Sequence, residues 1–263
     1  MLSMIFNGKL EEKMKRVAVI MFMLLAFTGL ASAQSITTMN VSYPSGSDTV
    51  SGYLAMPKSG GKHPALIVIH EWWGLRDWIR QDARDLARHG YVALAIDLYR
   101  GKITDNPQEA YKLMMSVPRE RAITDLKAAF SYLARMKGVN PSKIGSIGWC
   151  MGVSYSYIAA THLRKLAACV INYGNVGTTK EEVEPIDCPV LCNFAELDRT
   201  YTMKMGRAFE AAMKAGGKSI EFHEYAGVNH AFMNPNDLGI YDKAQAKLAW
   251  KRTYSFLDRQ LKP

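Results

Sequence analysis

The sequence predicts an α/β protein with a mostly parallel central sheet, helices on both faces of that sheet, and an antiparallel hairpin at its N-terminal edge. From Pro64 onward, short apolar runs of strand length alternate with longer helix-compatible stretches. Apolar strands separated by crossover helices are typical of a parallel sheet that is buried on both faces. The chain has 263 residues, 48% of them hydrophobic, which suits one large globular domain.

The first 33 residues are predicted to be an N-terminal extension and a cleaved signal peptide. Residues 14–16 (MKR) are basic, residues 17–30 form an uncharged apolar run, and residues 31–33 (ASA) match the small-residue cleavage pattern. A membrane anchor is the less favoured alternative, because the run is shorter than the ~20 residues needed to span a bilayer. We therefore expect a mature domain of residues 34–263 that is periplasmic or secreted, without stable membrane insertion.

Charge and cysteine spacing argue against several classes of function. The formal charge of +9 is spread along the chain without a dense basic cluster or a nucleic-acid motif, so we expect a solvated basic surface and no nucleic-acid partner. The histidines and cysteines show no metal-ligand spacing. Cys188 and Cys192 lie on one predicted strand at a separation of ~13 Å, too far for a disulfide. We expect them and Cys169 to be buried and free, with a Cys169–Cys188 disulfide as the alternative.

The elements can be placed in chain order. Two strands, residues 35–43 and 49–56, flank a turn at 44–48 and predict the hairpin. Six further strands are predicted at 65–70, 91–96, 143–147, 167–172, 189–194 and 220–225. Helices are predicted at 77–89, 107–116, 119–136, 151–163, 202–215 and 242–261. Neither repeats nor a linker interrupt this pattern, so residues 34–263 are expected to form a single domain.

A glycine-flanked cysteine joins the third parallel strand to its helix. Residues 148–152 read GWCMG, the pattern of the nucleophile elbow in the α/β-hydrolase fold, with Cys150 where serine is more usual. The two glycines would leave room for a turn tight enough to strain the nucleophile's backbone. The helix N-terminus behind Cys150 would favour a thiolate, and its N–H groups would stabilise an oxyanion. A buried structural cysteine is the alternative interpretation.

Two later strand exits carry the residues that such a nucleophile requires. Asp198 follows the strand at 189–194, and His230 follows the strand at 220–225. The chain order of nucleophile, acid and histidine is that of the α/β-hydrolase fold. His230 could accept the proton of Cys150, and Asp198 could orient the imidazole. Glu196 is an alternative acid, although strand alternation favours Asp198.

The exits of the first two parallel strands complete the predicted site. Glu71 and Trp72 follow the strand at 65–70, and the Trp72 N–H is the candidate second oxyanion donor, beside that of Met151. Asp97 is expected to pin its own loop. Arg100 could bind a substrate carboxylate through two hydrogen bonds, although an ordinary exposed arginine is equally compatible. The residues expected to line the pocket are Trp72, Trp73, Tyr99, Arg100 and Phe232.

With these residues in place, the sequence resembles the dienelactone hydrolase family (carboxymethylenebutenolidases) from about Val50 to Leu261. The motifs that carry the resemblance are HEWWG at 70–74, DLY at 97–99, GWCMG at 148–152, Asp198, and NHAF at 229–232. The resemblance implies a Cys150–His230–Asp198 triad with the Met151 and Trp72 N–H groups as oxyanion donors. It also implies that Glu71 keeps the resting thiol neutral until substrate binds. A neutral, shielded thiol would resist oxidation after export.

The sequence departs from this family at the positions that bind the substrate carboxylate. Dienelactone-cleaving members use two arginines. One of these follows the DLY motif after an extra residue, whereas Arg100 follows Tyr99 directly. The other lies four residues beyond the catalytic histidine, where this chain has Asn234. The carboxylate-binding pair is therefore at most half present.

The sequence thus predicts an exported hydrolase that cleaves a small carboxylic ester or lactone through a thioester on Cys150. We expect no metal or organic cofactor, and a monomer. Two alternatives remain open. One is a non-catalytic ligand-binding member of the fold, and the other is an acyl hydrolase for a thioester, peptide or polyester.

Overall fold

The core of the molecule is one eight-stranded sheet, described here by a computed structural model that covers residues 34–263. The predicted extension and signal peptide, residues 1–33, lie outside the described residues. The strands are β1 (Ile36–Ser45), β2 (Asp48–Pro57), β3 (His63–Ile69), β4 (Val92–Ile96), β5 (Val139–Trp149), β6 (Ala168–Asn172), β7 (Val190–Ala195) and β8 (Ile220–Tyr225). Their order across the sheet is β1-β2-β4-β3-β5-β6-β7-β8.

The N-terminal hairpin forms one edge of this sheet, as the sequence predicts. β1 and β2 pair antiparallel, and β2 pairs antiparallel with β4. The register pairs Ser45 with Asp48, so the loop has only two residues and is shorter than the predicted turn. Gly46 begins this loop with φ 61°, a conformation that glycine adopts without the steric cost of a side chain.

The remaining strands are parallel, and helices cover both faces of the sheet. The helices are α1 (Asp77–Arg88), α2 (Pro107–Met115), α3 (Arg119–Arg135), α4 (Met151–His162), α5 (Lys180–Val183), α6 (Met203–Ala215) and α7 (Lys243–Leu261). Buried side chains of α1 and α7 pack on one face, and those of the other helices pack on the opposite face. The sequence pattern did not predict α5, a single turn that starts at Thr179 with a reciprocal capping box.

Because β3 to β8 are all parallel, their carboxyl ends meet at one edge of the sheet. The chain therefore brings the strand exits that follow β3, β4, β5, β7 and β8 to the same side of the molecule. Residues Ser35–Pro263 form one compact unit. Among the described residues, no helix has the length and apolar character needed to cross a membrane.

Of the three cysteines outside the elbow, Cys169 lies in β6 and Cys192 in β7, whereas Cys188 lies just before β7 and, contrary to the prediction, not on the same strand as Cys192. Cys169, Cys188 and Cys192 are buried, and each has a free thiol. The alternative of a Cys169–Cys188 disulfide is therefore not observed. The Cys169 thiol lies 3.4 Å from the Ser156 hydroxyl, inside the interface between β6 and α4. Burial raises the pKa of Cys169 to about 11, which disfavours the reactive thiolate.

Candidate active site

The turn between β5 and α4 holds Cys150 in a strained backbone conformation. Its dihedral angles are φ 53° and ψ −117°, a region that residues with a side chain rarely adopt. A Cβ atom on Gly148 would clash with the Gly152 carbonyl oxygen, and one on Gly152 would clash with the Ile69 carbonyl oxygen. The two glycines therefore allow strand, turn and helix to approach closely enough to form an elbow.

The Cys150 thiol lies between two backbone N–H groups and a buried carboxyl group. Cys150 as a residue is partly exposed. Burial is the largest cause of a pKa well above the usual thiol value, and the charge of Glu71 raises it further. The N–H groups of Met151 and Trp72 donate to the sulfur and lower this pKa in part. The structure thus brings both predicted oxyanion donors to the nucleophile position, and it favours a neutral resting thiol.

His230 is held by Asp198 at the neighbouring strand exits. The His230 Nδ1 lies 2.7 Å from Asp198 Oδ2, which leaves Nε2 as the ring nitrogen available for chemistry. The other carboxylate oxygen of Asp198 accepts the N–H groups of Thr200 and Tyr201 at 2.8 and 2.9 Å. These bonds fix the orientation of the carboxylate that contacts the imidazole. The alternative acid, Glu196, instead accepts the Gly227 N–H at 2.7 Å.

Glu71 lies at the exit of β3 and is sealed from solvent. Its side chain accepts one hydrogen bond, from the Asn234 amide to Oε2 at 3.0 Å. The amide orientation of Asn234 is fixed, because its Oδ1 accepts the Asn236 N–H at 2.9 Å. Burial raises the pKa of Glu71 to about 8, although the Asn234 bond lowers it in part. Within residues 34–263, Oε1 of Glu71 has no hydrogen-bond partner.

The structure corrects two of the expected pocket residues. Arg100 has φ 56°, and its guanidinium is taken up by Asp48 at 2.9 Å and by both oxygens of the buried Asp125 at 2.9 and 3.0 Å. It therefore ties the hairpin to α3 and has little capacity left for a substrate. Phe232 is fully buried and packs between Tyr173 and Tyr225 at ring-centroid distances of 5.5 and 5.0 Å. It belongs to the core.

Of the other three expected pocket residues, Trp72 and Tyr99 contact the elbow, and Trp73 packs against Trp72. Trp72 and Trp73 are partly exposed, with their ring centroids 4.8 Å apart. Tyr99 is almost completely buried, and its hydroxyl lies 3.0 Å from the Met151 sulfur. Tyr99 thus packs against the side chain of the residue whose N–H faces Cys150. The tryptophans offer an apolar surface, whereas Tyr99 supports the elbow from within.

Two tyrosines that the sequence analysis missed flank the imidazole. Tyr173 and Tyr201 lie 5.2 and 5.3 Å from the His230 ring. Burial and the nearby Cys150 and Asp198 raise the pKa of Tyr201 to about 12, so its hydroxyl stays neutral. Tyr173 follows β6 with φ 45°. Its position after a parallel strand was the signal that could have found it. Within residues 34–263, no cluster of three metal-binding side chains occurs.

A cysteine in a strained turn between strand and helix, two N–H groups beside its sulfur, and a histidine paired with an acid are the arrangement expected of an α/β-hydrolase site. The model of the dienelactone hydrolase family matches residues 50–261. The chain belongs to this family, as its motifs indicate, and family membership makes it a carboxylic ester hydrolase.

Relatives and solved structures agree with this assignment. The chain is 35% identical over 221 residues to Protein usf of Aquifex pyrophilus, an alignment that covers 81% of this chain and 94% of that protein. It is 31% identical to a protein of Aquifex aeolicus assigned as a carboxymethylenebutenolidase, with the same two coverages. A crystal structure from Klebsiella pneumoniae, assigned as a dienelactone hydrolase, superposes with a TM-score of 0.78 at 26% identity and covers 85% of this chain and 98% of that one.

Proposed function

We propose that this protein is an exported hydrolase that cleaves carboxylic esters or lactones through a covalent thioester on Cys150. The observation that carries the proposal is the position of the Cys150 sulfur. It faces the Met151 and Trp72 N–H groups, at the same sheet edge as the His230–Asp198 pair. Support for export comes from the sequence of residues 14–33.

The proposed reaction follows from this arrangement. His230 Nε2 accepts the thiol proton of Cys150, and the thiolate attacks the carbonyl carbon of the substrate. The Met151 and Trp72 N–H groups stabilise the negative oxygen of the tetrahedral intermediate. The imidazolium then protonates the leaving alkoxide, and a thioester remains on Cys150. Water, deprotonated by His230, releases the acid and restores the thiol, while Asp198 holds the imidazole in the required tautomer.

The charges around the site support a substrate without a carboxylate. Arg100 is paired with Asp48 and Asp125, so its guanidinium is not free for an anionic substrate. Asn234 replaces the second arginine with a neutral amide, and that amide donates to Glu71. Partly exposed Trp72 and Trp73 supply an apolar surface instead. We therefore propose that neutral esters and lactones are cleaved more efficiently than the carboxylate-bearing dienelactone.

The test uses the mature chain, freshly reduced, with a short-chain p-nitrophenyl ester and a dienelactone as substrates. Wild type should hydrolyse the neutral ester with the higher kcat/KM. Cys150→Ala should abolish turnover of both substrates, and rapid acid quenching followed by mass spectrometry should detect an acyl group on Cys150 of the wild type.

Cys188→Ala is the matched control, because Cys188 is a buried free thiol away from the elbow. It should retain wild-type kcat. Unchanged turnover in Cys150→Ala would refute the nucleophile. A preference for the dienelactone would refute the neutral-substrate proposal and leave the nucleophile standing.

A further inference from the structure

His70 is a fully buried histidine that the proposed mechanism does not use. It directly follows β3, and none of its surface is exposed to solvent. Both of its ring nitrogens face backbone groups. Nδ1 lies 2.5 Å from the carbonyl oxygen of Glu71, and Nε2 lies 3.2 Å from the amide nitrogen of Leu98. One side chain therefore joins the loop after β3 to the loop after β4.

These two backbone partners fix the position of the proton on the His70 ring. The Leu98 N–H can only donate, so Nε2 must accept and carries no proton. The Glu71 carbonyl can only accept, so Nδ1 must carry the proton and donate it. Burial lowers the pKa of the ring, which favours the neutral form. His70 is therefore assigned as the neutral Nδ1–H tautomer.

The carbonyl that His70 holds belongs to the same peptide unit as the Trp72 N–H. In a trans peptide, the C=O and N–H groups point in opposite directions. A carbonyl that is held toward His70 therefore directs the N–H the other way, toward the Cys150 sulfur. The hydrogen bond to the carbonyl also strengthens this N–H as a donor, because successive hydrogen bonds polarise the peptide group between them.

The two proposed oxyanion donors are held in different ways. The Met151 N–H lies in the first turn of α4, and the carbonyl of its peptide unit accepts the Val153 N–H at 3.1 Å. Trp72 lies in a turn and does not begin a helix. The Glu71 carbonyl does accept the Gly74 N–H, but at 3.3 Å, which is longer than most backbone hydrogen bonds. The shorter bond from the imidazole therefore supplies at Trp72 the support that the helix supplies at Met151.

We propose that His70 is a positioning residue for the oxyanion site, which fixes the Glu71–Trp72 peptide so that the Trp72 N–H points at the substrate oxyanion. The inference rests on the proposed function of Cys150. The His70 ring also packs edge-on against Tyr99 at a centroid distance of 4.9 Å, and the Tyr99 hydroxyl lies 3.0 Å from the Met151 sulfur. The histidine is thus bonded to the peptide of one donor and packed against a support of the other.

The test compares His70→Asn with His70→Gln in the mature chain. The amide nitrogen of asparagine can occupy the position of Nδ1 and donate to the Glu71 carbonyl, whereas the amide of glutamine extends to the position of Nε2. Both variants lose the ring and its packing on Tyr99, so a role confined to filling space predicts the same result for both. The pair therefore isolates the hydrogen bond to the carbonyl.

His70→Gln should lower kcat on a p-nitrophenyl ester by about 100-fold with KM changed by less than about threefold, because an oxyanion donor acts mainly in the transition state. His70→Asn should keep kcat within about tenfold of wild type. In the resting protein, the Trp72 amide should exchange hydrogen at least about tenfold faster in His70→Gln and near the wild-type rate in His70→Asn. His63→Gln, at the opposite end of β3, is the control and should change neither readout.

Equal kcat values in the two folded variants would overturn the proposal, and so would unchanged Trp72 exchange in His70→Gln. If neither variant folds, the ¹⁵N spectrum of wild type at pH 7 decides. The Nδ1–H tautomer of His70 would support the bond to the Glu71 carbonyl, and an Nε2–H tautomer or a charged ring would refute it. A wild type inactive on every ester would disprove the proposed function, whereas exchange at Trp72 would still decide whether His70 fixes this peptide.

Discussion

Burial of Glu71 should make the stability of the protein depend on pH in a direction opposite to that of most carboxylates. Its pKa is raised from 4.5 to about 8 in the folded state. A raised pKa means that the native state binds a proton that the unfolded chain has already lost. The contribution of this proton uptake by Glu71 to the free energy of unfolding is therefore fully present below about pH 4.5, and it is lost progressively as pH rises toward 8.

The size of this effect follows from the two pKa values. A shift of about 3.5 units corresponds to about 5 kcal/mol of unfolding free energy, at about 1.4 kcal/mol per unit. Glu71→Gln removes the ionisation but keeps an oxygen that can accept the Asn234 amide. The free energy of unfolding of the variant should be similar to that of wild type at pH 5. Above pH 5 the variant should become more stable than wild type, by about 1.4 kcal/mol per pH unit up to pH 8.

The assay is urea unfolding at pH 5, 6, 7 and 8, with reduced thiols and equal ionic strength. Glu181→Gln is the control, since Glu181 is an exposed carboxylate in α5. Its free energy of unfolding should differ from wild type by a constant amount at all four pH values. A difference between Glu71→Gln and wild type that stays constant from pH 5 to 8 would refute the assignment of Glu71 as a buried acid that is neutral at neutral pH.

Three further outcomes follow from the geometry of the site and its supports. Gly152→Ala should lower the free energy of unfolding by about 3 kcal/mol or more in thermal or urea unfolding, because the new Cβ meets the Ile69 carbonyl oxygen, and an unchanged Tm would contradict the close approach. Arg100→Met should lower the free energy of unfolding by about 3 kcal/mol, because the charge of the buried Asp125 loses its partner, and KM for neutral esters should not change. A selective rise of KM for the dienelactone would show that Arg100 contacts the substrate. Asp198→Asn should reduce kcat on p-nitrophenyl esters by about 10²- to 10⁴-fold with little change in KM, and full activity would exclude it as the residue that orients the imidazole.

The fold could be predicted from the sequence because its parallel strands are continuous apolar runs. β4 (VALAI) and β6 (ACVIN) are buried at every position, as strands covered on both faces must be. The short helix α5 was missed because four residues carry no helical periodicity, and its capping box spans only Thr179 to Glu182. Hydrophobic patterning detects elements that bury a face, and α5 buries only Val183.

The residues of the candidate site could be predicted from the sequence where they directly follow a strand. Cys150, Asp198 and His230 follow three parallel strands, and topology alone brings such positions to one edge. The proposed oxyanion donors are backbone groups fixed by the same turns, so their placement required no knowledge of side-chain direction. Tyr201 was missed because it lies three residues beyond Asp198, in a loop whose path no pattern specifies.

Side-chain partners were the part that the sequence could not supply, and Arg100 shows why this matters for the substrate. Arg100 has a positive φ, and its guanidinium lies between Asp48 of the hairpin and Asp125 of α3, both of which bind it. Asp125 is 77 positions beyond Asp48, so no local pattern reveals that both converge on one guanidinium. With Asn234 also committed to Glu71, the two positions that would hold a substrate carboxylate are occupied by internal contacts. The pairing within the protein, rather than the presence of an arginine in a motif, therefore leads to the proposal of a neutral substrate.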